Sequence, residues 1–223
     1  MNNNVQSFIE YFSKKILNGK ASFFVGSGLS RSAGYVGWSE LLDDKARELG
    51  LDVNKENDLI TLAQYYINNK NRTKINESIK EFFSDDKGNV TRVHNLICNM
   101  PITSIWTTNY DSLLERQYDI NNIPYSIVTN DKSYKDIKTN SKVIVHKIHG
   151  TYSSPGDCVI TRQDYENYSQ NFNIVLSQLK AEMCSKSFLF LGYGFRDTDI
   201  NHIFSKIRQI YNKEKSNEPI RLG

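Results

Sequence analysis

Four short apolar runs in this chain each end in a polar or glycine-rich motif, and that pattern restricts the fold more than any other feature. Residues 21–25 lead into Gly26-Ser27-Gly28-Leu29-Ser30, and residues 102–106 lead into Thr107-Thr108-Asn109-Tyr110-Asp111. Residues 143–148 lead into His149-Gly150, and residues 188–191 into Gly192-Tyr193-Gly194. Largely apolar runs this short read as strands buried on both faces. A further strand is expected at 125–128. Helical patterns lie between and after these runs, and strands alternating with helices form a parallel sheet. The expected class is therefore α/β, a Rossmann-like parallel sheet covered by helices on both faces.

The helical stretches can be placed from their apolar spacing. Val5, Phe8, Ile9, Phe12, Ile16 and Leu17 form one stripe on a surface helix, with Gly19 as its stop signal. Residues 38–98 look helical throughout and predict a small helical subdomain beside the sheet. Within them Leu41, Leu42, Ala46 and Leu49 mark one helix ended by Gly50. Asn54 is the expected cap of the next, which carries Leu59, Leu62, Ala63 and Tyr66, and further helices fall around 75–83 and 93–97. Later stripes are Phe172, Val175, Leu176, Leu179 and Met183, then Ile200, Ile203, Phe204, Ile207 and Ile210. The whole of 1–223 reads as a single domain. The tail at 212–223 reads as a last strand or as the start of a further segment, and its abrupt end suggests a domain excised from a longer protein.

Charge and cysteine content remove several function classes. Lys and Arg number 28 against 25 Asp and Glu, a net charge of +3, and no basic cluster is interleaved with aromatics. Nucleic acid is therefore not an expected partner. Cys98, Cys158 and Cys184 are far apart and form no CxxC pair, so no structural zinc site is expected and each reads as an ordinary thiol. The first residues carry no basic segment followed by an apolar one, and no apolar run approaches the ~20 residues that cross a bilayer. The expectation is a soluble, cytoplasmic chain with no membrane association.

Ligands of parallel α/β sheets bind beyond the carboxyl ends of the strands, so four polar motifs converging on that edge point to a pocket. The Gly26–Ser30 stretch can bring backbone N–H groups close to a phosphate, or can be a simple tight turn. Arg31 stands where a dinucleotide fingerprint needs its third glycine. His149, ending an apolar strand, can act as a general base or can be a satisfied hydrogen-bonding residue. His146 alternates differently and reads as structural, while His94 and His202 read as packing or surface residues. Asn109 offers a donor and an acceptor without charge, suited to a ribose hydroxyl or a water, and could equally cap the helix that follows.

Taken together, these motifs resemble the sirtuin-like NAD-binding family, whose motif order they match over residues 21 to 211. Within that family, residues 34–36, 50–59, 106–111 and 188–192 resemble the NAD-hydrolase effectors of Thoeris anti-phage defence. The resemblance implies that Gly26, Ser27, Gly28 and Ser30 surround the NAD phosphates and nicotinamide ribose. It also implies that Asn109 holds a ribose hydroxyl or the attacking water and that Asp111 contacts the carboxamide. His149 is then the base, and Gly192 and Tyr193 line the adenosine side. NAD is the substrate, no cofactor or metal is required, and the products are nicotinamide and ADP-ribose. It further implies a homo-oligomer, commonly a tetramer, regulated through a C-terminal domain that binds a cyclic ADP-ribose-like signal; no such domain fits in these residues. Two other readings stand beside it. One is a non-catalytic NAD or ADP-ribose sensor. The other is a protein deacylase, disfavoured because the four-cysteine zinc module is missing and Thr108 replaces the Gln that precedes the Asn in many deacylases.

Overall fold

The structure is a computed structural model that describes residues 3–195 and 198–214. Five strands form one parallel sheet: β1 (Ala21–Val25), β2 (Ser104–Thr107), β3 (Tyr125–Val128), β4 (Val143–Lys147) and β5 (Ser187–Leu191). They lie in the order β3-β4-β2-β1-β5. Every residue of β1 and β2 is buried, Ser22, Ser104 and Thr107 included, so neither strand shows the alternation of a one-sided sheet. The expected α/β fold with helices on both faces is what the chain adopts.

One face of the sheet is covered by α1 (Asn3–Leu17), α6 (Arg92–Cys98) and α7 (Leu113–Ile120). Phe12, Ile97 and Leu114 pack there against Phe23, Ile105 and Val145. The opposite face is covered by α10 (Asn173–Ser185) and α11 (Thr198–Glu214), with two short helices, α8 (Arg162–Glu166) and α9 (Tyr168–Asn171), before them. Val175, Leu179 and Ile203 pack there against Phe24, Trp106 and Ile148. A buried carboxylate joins α10 to β2, because Glu182 accepts hydrogen bonds from Ser104 Oγ at 2.5 Å and Trp106 Nε1 at 3.0 Å.

A third hydrophobic cluster forms a separate helical layer from α3 (Trp38–Glu48), α4 (Leu59–Asn69) and α5 (Thr73–Phe82). Its core of Leu41, Leu42, Tyr66, Ile75 and Ile79 docks on Tyr110, Leu113, Cys158 and Ile160, residues of the segments that follow β2 and β4. Tyr110 is the firmest of these contacts. Its ring lies parallel to Trp38 at 6.5 Å and edge-on to Phe83 at 5.3 Å, and its hydroxyl donates to Val159 O at 2.6 Å.

Several local expectations need correcting. The 38–98 block is not one subdomain, because α6 returns to the sheet through Ile97 and Cys98. Asn54 does not cap α4. It sits in a single 3-10 turn (Val53–Lys55), and Asp58 caps α4 by accepting from Thr61 N at 2.9 Å. The α1 stripe is only partly used: Phe12 is buried, whereas Val5, Phe8, Ile9 and Leu17 are exposed. Gly19 and Gly50 do end their helices, both at positive φ. Of the tail, residues 212–214 continue α11, and the expected last strand lies outside the described residues, as does the side chain of Ile210. No helix among the described residues is long and apolar enough to cross a membrane.

Candidate functional site

The strand order lines up the sequence-predicted motifs along one edge. Moving from β4 through β2 and β1 to β5, the edge carries His149, then Asn109, then Gly26–Ser30, then Gly192 and Tyr193. Adjacent strands are about 4.8 Å apart, so this row is about 14 Å long. Thr107 pairs with Lys147 at the end of the register, and Asn109 and His149 each follow that pair by two residues, beyond the strands.

At the centre, three side chains from the segments after β1 and β2 form a relay. Ser30 Oγ donates to Asp111 Oδ2 at 2.6 Å, and Asn109 Nδ2 donates to Ser30 Oγ at 2.9 Å. The directions follow from proton counting. A carboxylate only accepts, and a hydroxyl has a single proton, so Ser30 gives its proton to Asp111 and must accept from the amide. That fixes which end of the Asn109 amide is which. Its Oδ1 is buried and accepts no hydrogen bond from the protein. Leaving a buried acceptor unpaired costs about 1–3 kcal/mol, so this oxygen is free to accept from a water or a ligand.

The relay changes the role of two residues. Asp111 has both oxygens engaged, the second by Leu113 N at 3.1 Å, and is only 5% exposed. It anchors the start of α7 and orients Ser30. Asn109 is not the helix cap; its own N–H is held by Thr107 Oγ1 at 3.0 Å, and α7 starts only at Leu113.

His149 is 3% exposed. Two tyrosine rings meet its imidazole edge-on, Tyr165 at 5.6 Å and Tyr168 at 6.1 Å. Its carbonyl accepts from Val159 N at 3.0 Å, and Gly150 turns the chain away at φ +88. His146 is different in kind. Its ring stacks on Trp106 at 3.8 Å, and burial pushes its pKa down to about 4, so it is a neutral structural ring at pH 7. His94 is buried at the start of α6, where its Nδ1 accepts from Thr91 N at 3.1 Å, and His202 is exposed.

The glycine-rich stretch after β1 is not the open loop its composition suggests: Ser27–Ser32 is a short helix, α2. Its glycines serve the neighbouring strand end. Gly26 N donates to Leu191 O and Gly28 N to Gly192 O, both at 2.9 Å. A Cβ on Gly26 would lie 2.5 Å from Tyr193 Cα, and one on Gly28 would lie 2.8 Å from Gly192 O. Close approach to the β5 loop therefore demands glycine at both positions. Gly28→Ala is expected to lower stability by about 1–3 kcal/mol, since the obstructing atom is backbone and cannot rotate away. A thermal melt unchanged from the parent would refute this. Ser27 is exposed, and Tyr193 is half-buried with its ring 4.6 Å from that of Phe24.

Sequence reasoning did not single out Lys147. It is fully buried, and its ammonium pairs with Glu115 Oε1 at 2.7 Å beneath the Asn109–Asp111 turn. The one available signal was a lysine interrupting the apolar strand of residues 143–148. Beside the site, at the carboxyl end of β3, lies a cavity of about 320 Å³ lined by Thr129, Asn130, Asp131, Asp164 and Phe172. It borders the site through Cys158 and Val159, while none of the relay residues lines it. Among the described residues no three His, Cys, Asp or Glu side chains gather where they could hold a metal.

Comparison with known proteins agrees with this geometry. Residues 103–219 match the family described as SIR2-like domain. The chain is 39% identical to a protein of Bacillus cereus (strain MSX-D12) named NAD(+) hydrolase ThsA, over 96% of this chain and 45% of that protein. It is also 39% identical to an Enterococcus faecium protein of the same name, over 91% of this chain and 43% of that one. A more distant relative is the Bacillus subtilis protein named Defense-associated sirtuin 2, 28% identical over 94% of this chain and 21% of that one. The chain thus spans less than half the length of these curated relatives.

Proposed function

The chain belongs to the SIR2-like domain family, and from that premise we propose that it is an NAD+ glycohydrolase domain that splits the nicotinamide–ribose bond. The observation that carries this reading is the Asn109 amide, turned by Ser30 and Asp111 so that its bare oxygen is the acceptor, beyond the end of β2, with His149 beyond the end of the paired β4. A row about 14 Å long suits an extended dinucleotide better than a single ring.

The chemistry needs little beyond these groups. Nicotinamide leaves a cationic bond as a neutral molecule, so no general acid is required. What must be supplied is stabilisation of an oxocarbenium-like transition state and a water on the opposite face. Asn109 Oδ1 accepts from a ribose hydroxyl or from that water. His149 takes the proton released as the water oxygen bonds to the ribose carbon, giving nicotinamide, ADP-ribose and one proton. In this proposal Gly26, Ser27 and Gly28 face the phosphates, Gly192 and Tyr193 line the adenosine side, and Ser30 and Asp111 act by orienting Asn109.

The biological setting belongs to the same proposal. Depletion of NAD during anti-phage defence fits a cytoplasmic protein that assembles as a homo-oligomer, a tetramer in the family's usual form. A C-terminal domain sensing a cyclic ADP-ribose-like signal would control it in a longer chain.

The test is nicotinamide release from NAD, with and without an acetylated peptide. Release without peptide, accompanied by ADP-ribose, is the expected result. NAD binding without release would make this a sensor, and release only with peptide would make it a deacylase. The same assay is expected to proceed unchanged in a strong chelator, because the leaving group needs no Lewis acid and the three cysteines form no metal-binding pair. Activity lost on chelation and restored by zinc alone would count against this.

A further inference from the structure

We infer that Lys147 is a positioning residue, whose buried ammonium sets the Asn109-Tyr110-Asp111 turn and so aims the Asn109 amide. This rests on the hydrolase reading of the site above. Lys147 ends β4 with its side chain wholly buried. A lysine ammonium has three protons and no acceptor. All three directions are used on one segment: Glu115 Oε1 at 2.7 Å, the carbonyl of Tyr110 at 3.4 Å, and the carbonyl of Asp111 in a short hydrogen bond. The two carbonyls belong to the peptides on either side of the Asp111 Cα, and Glu115 lies in the first turn of α7. The ammonium therefore ties β4 to the β2–α7 connection at the residues that carry the relay.

A charge in this place is not explained by stability. Burying a lysine and a glutamate has a large desolvation cost, and well-packed apolar replacements of such pairs are often neutral or stabilising. What an apolar pair cannot do is hold two carbonyl oxygens in fixed positions. With Lys147 present, the turn has one geometry, and Asp111 presents Oδ2 to Ser30 in it. Without it, Tyr110 O keeps its bonds from Tyr152 N and Thr151 Oγ1, and the Asp111 carbonyl loses the ammonium.

The experiment pairs Lys147→Met with Glu115→Leu in this chain, so that neither partner is left charged and alone. The expected result is a cooperative melt close to that of the parent, with kcat for NAD down by about 10- to 100-fold and KM within about threefold, the signature of a misplaced rather than a missing group. Amide hydrogen exchange of residues 108–113 is measured alongside and is expected to speed up. Unchanged kcat and unchanged exchange would overturn the proposal. Faster exchange in a chain whose parent hydrolyses no NAD would sink the hydrolase reading and leave the positioning role standing. If the double variant does not fold, Glu115→Gln takes its place. It keeps an oxygen acceptor while weakening the pair, and the same two readouts decide.

Discussion

His149→Ala is expected to lower NAD turnover by about 10²- to 10⁴-fold while leaving NAD binding largely in place. In the proposed mechanism the imidazole, two residues beyond the β2–β4 register as Asn109 is, accepts the proton of the attacking water, and its removal takes that acceptor away. Binding should survive because it rests on the opposite end of the row, around Gly26–Ser30, Gly192 and Tyr193. Calorimetric titration with NAD beside a turnover assay separates the two. His146→Ala is the control. That ring stacks on Trp106 and stays neutral, so its loss should lower the melting temperature and leave kcat per folded molecule near normal. Equal loss of kcat from both variants would show that a structural pair has been mistaken for a catalytic one. Loss of NAD binding along with turnover in His149→Ala would make His149 a binding residue.

The second large effect is expected at Asn109. Asn109→Ala should reduce turnover by about 10²- to 10³-fold, the range seen when one preorganised hydrogen-bonding group is removed from a transition state. Asn109→Asp should be no better, although it preserves shape. Its carboxylate cannot donate to Ser30, whose single proton already goes to Asp111, so two negative groups would compete for one hydroxyl. The fold should persist in the alanine variant, since Asn109 is part-exposed and contributes to none of the three hydrophobic clusters. Near-normal hydrolysis by either variant would remove Asn109 from the mechanism.

The sheet was legible because each strand is a short, nearly unbroken apolar run, and burial on both faces leaves little other sequence to choose from. The row of site motifs was legible for the same reason: polar residues that end an apolar strand can only lie at the sheet's edge. The relay was not. Ser30 and Asp111 are 81 positions apart, and no periodicity links residues that meet only through the β1–β2 pairing. Lys147 and Glu115, 32 apart, are hidden in the same way, and a lysine in an apolar strand looks like an edge until the neighbouring strand is known. Local rules also failed where tertiary contacts outweigh them. Ser27–Ser32 is helical despite two serines, a glycine and a further serine in six residues, because Gly26 and Gly28 are bound to the β5 loop. Asp58 took the capping role expected of Asn54 because α4 begins at Leu59, five residues past Asn54, which is held in the Val53–Lys55 turn.

Tyr110 stands between the two residues whose side chains build the relay, yet its ring belongs to the helical layer, pressed among Trp38 and Phe83. A single peptide bond therefore separates a ring embedded in α3–α5 from the amide that faces the cleft. A displacement of that layer against the sheet would therefore reach Asn109 across one peptide bond, without passing through a strand.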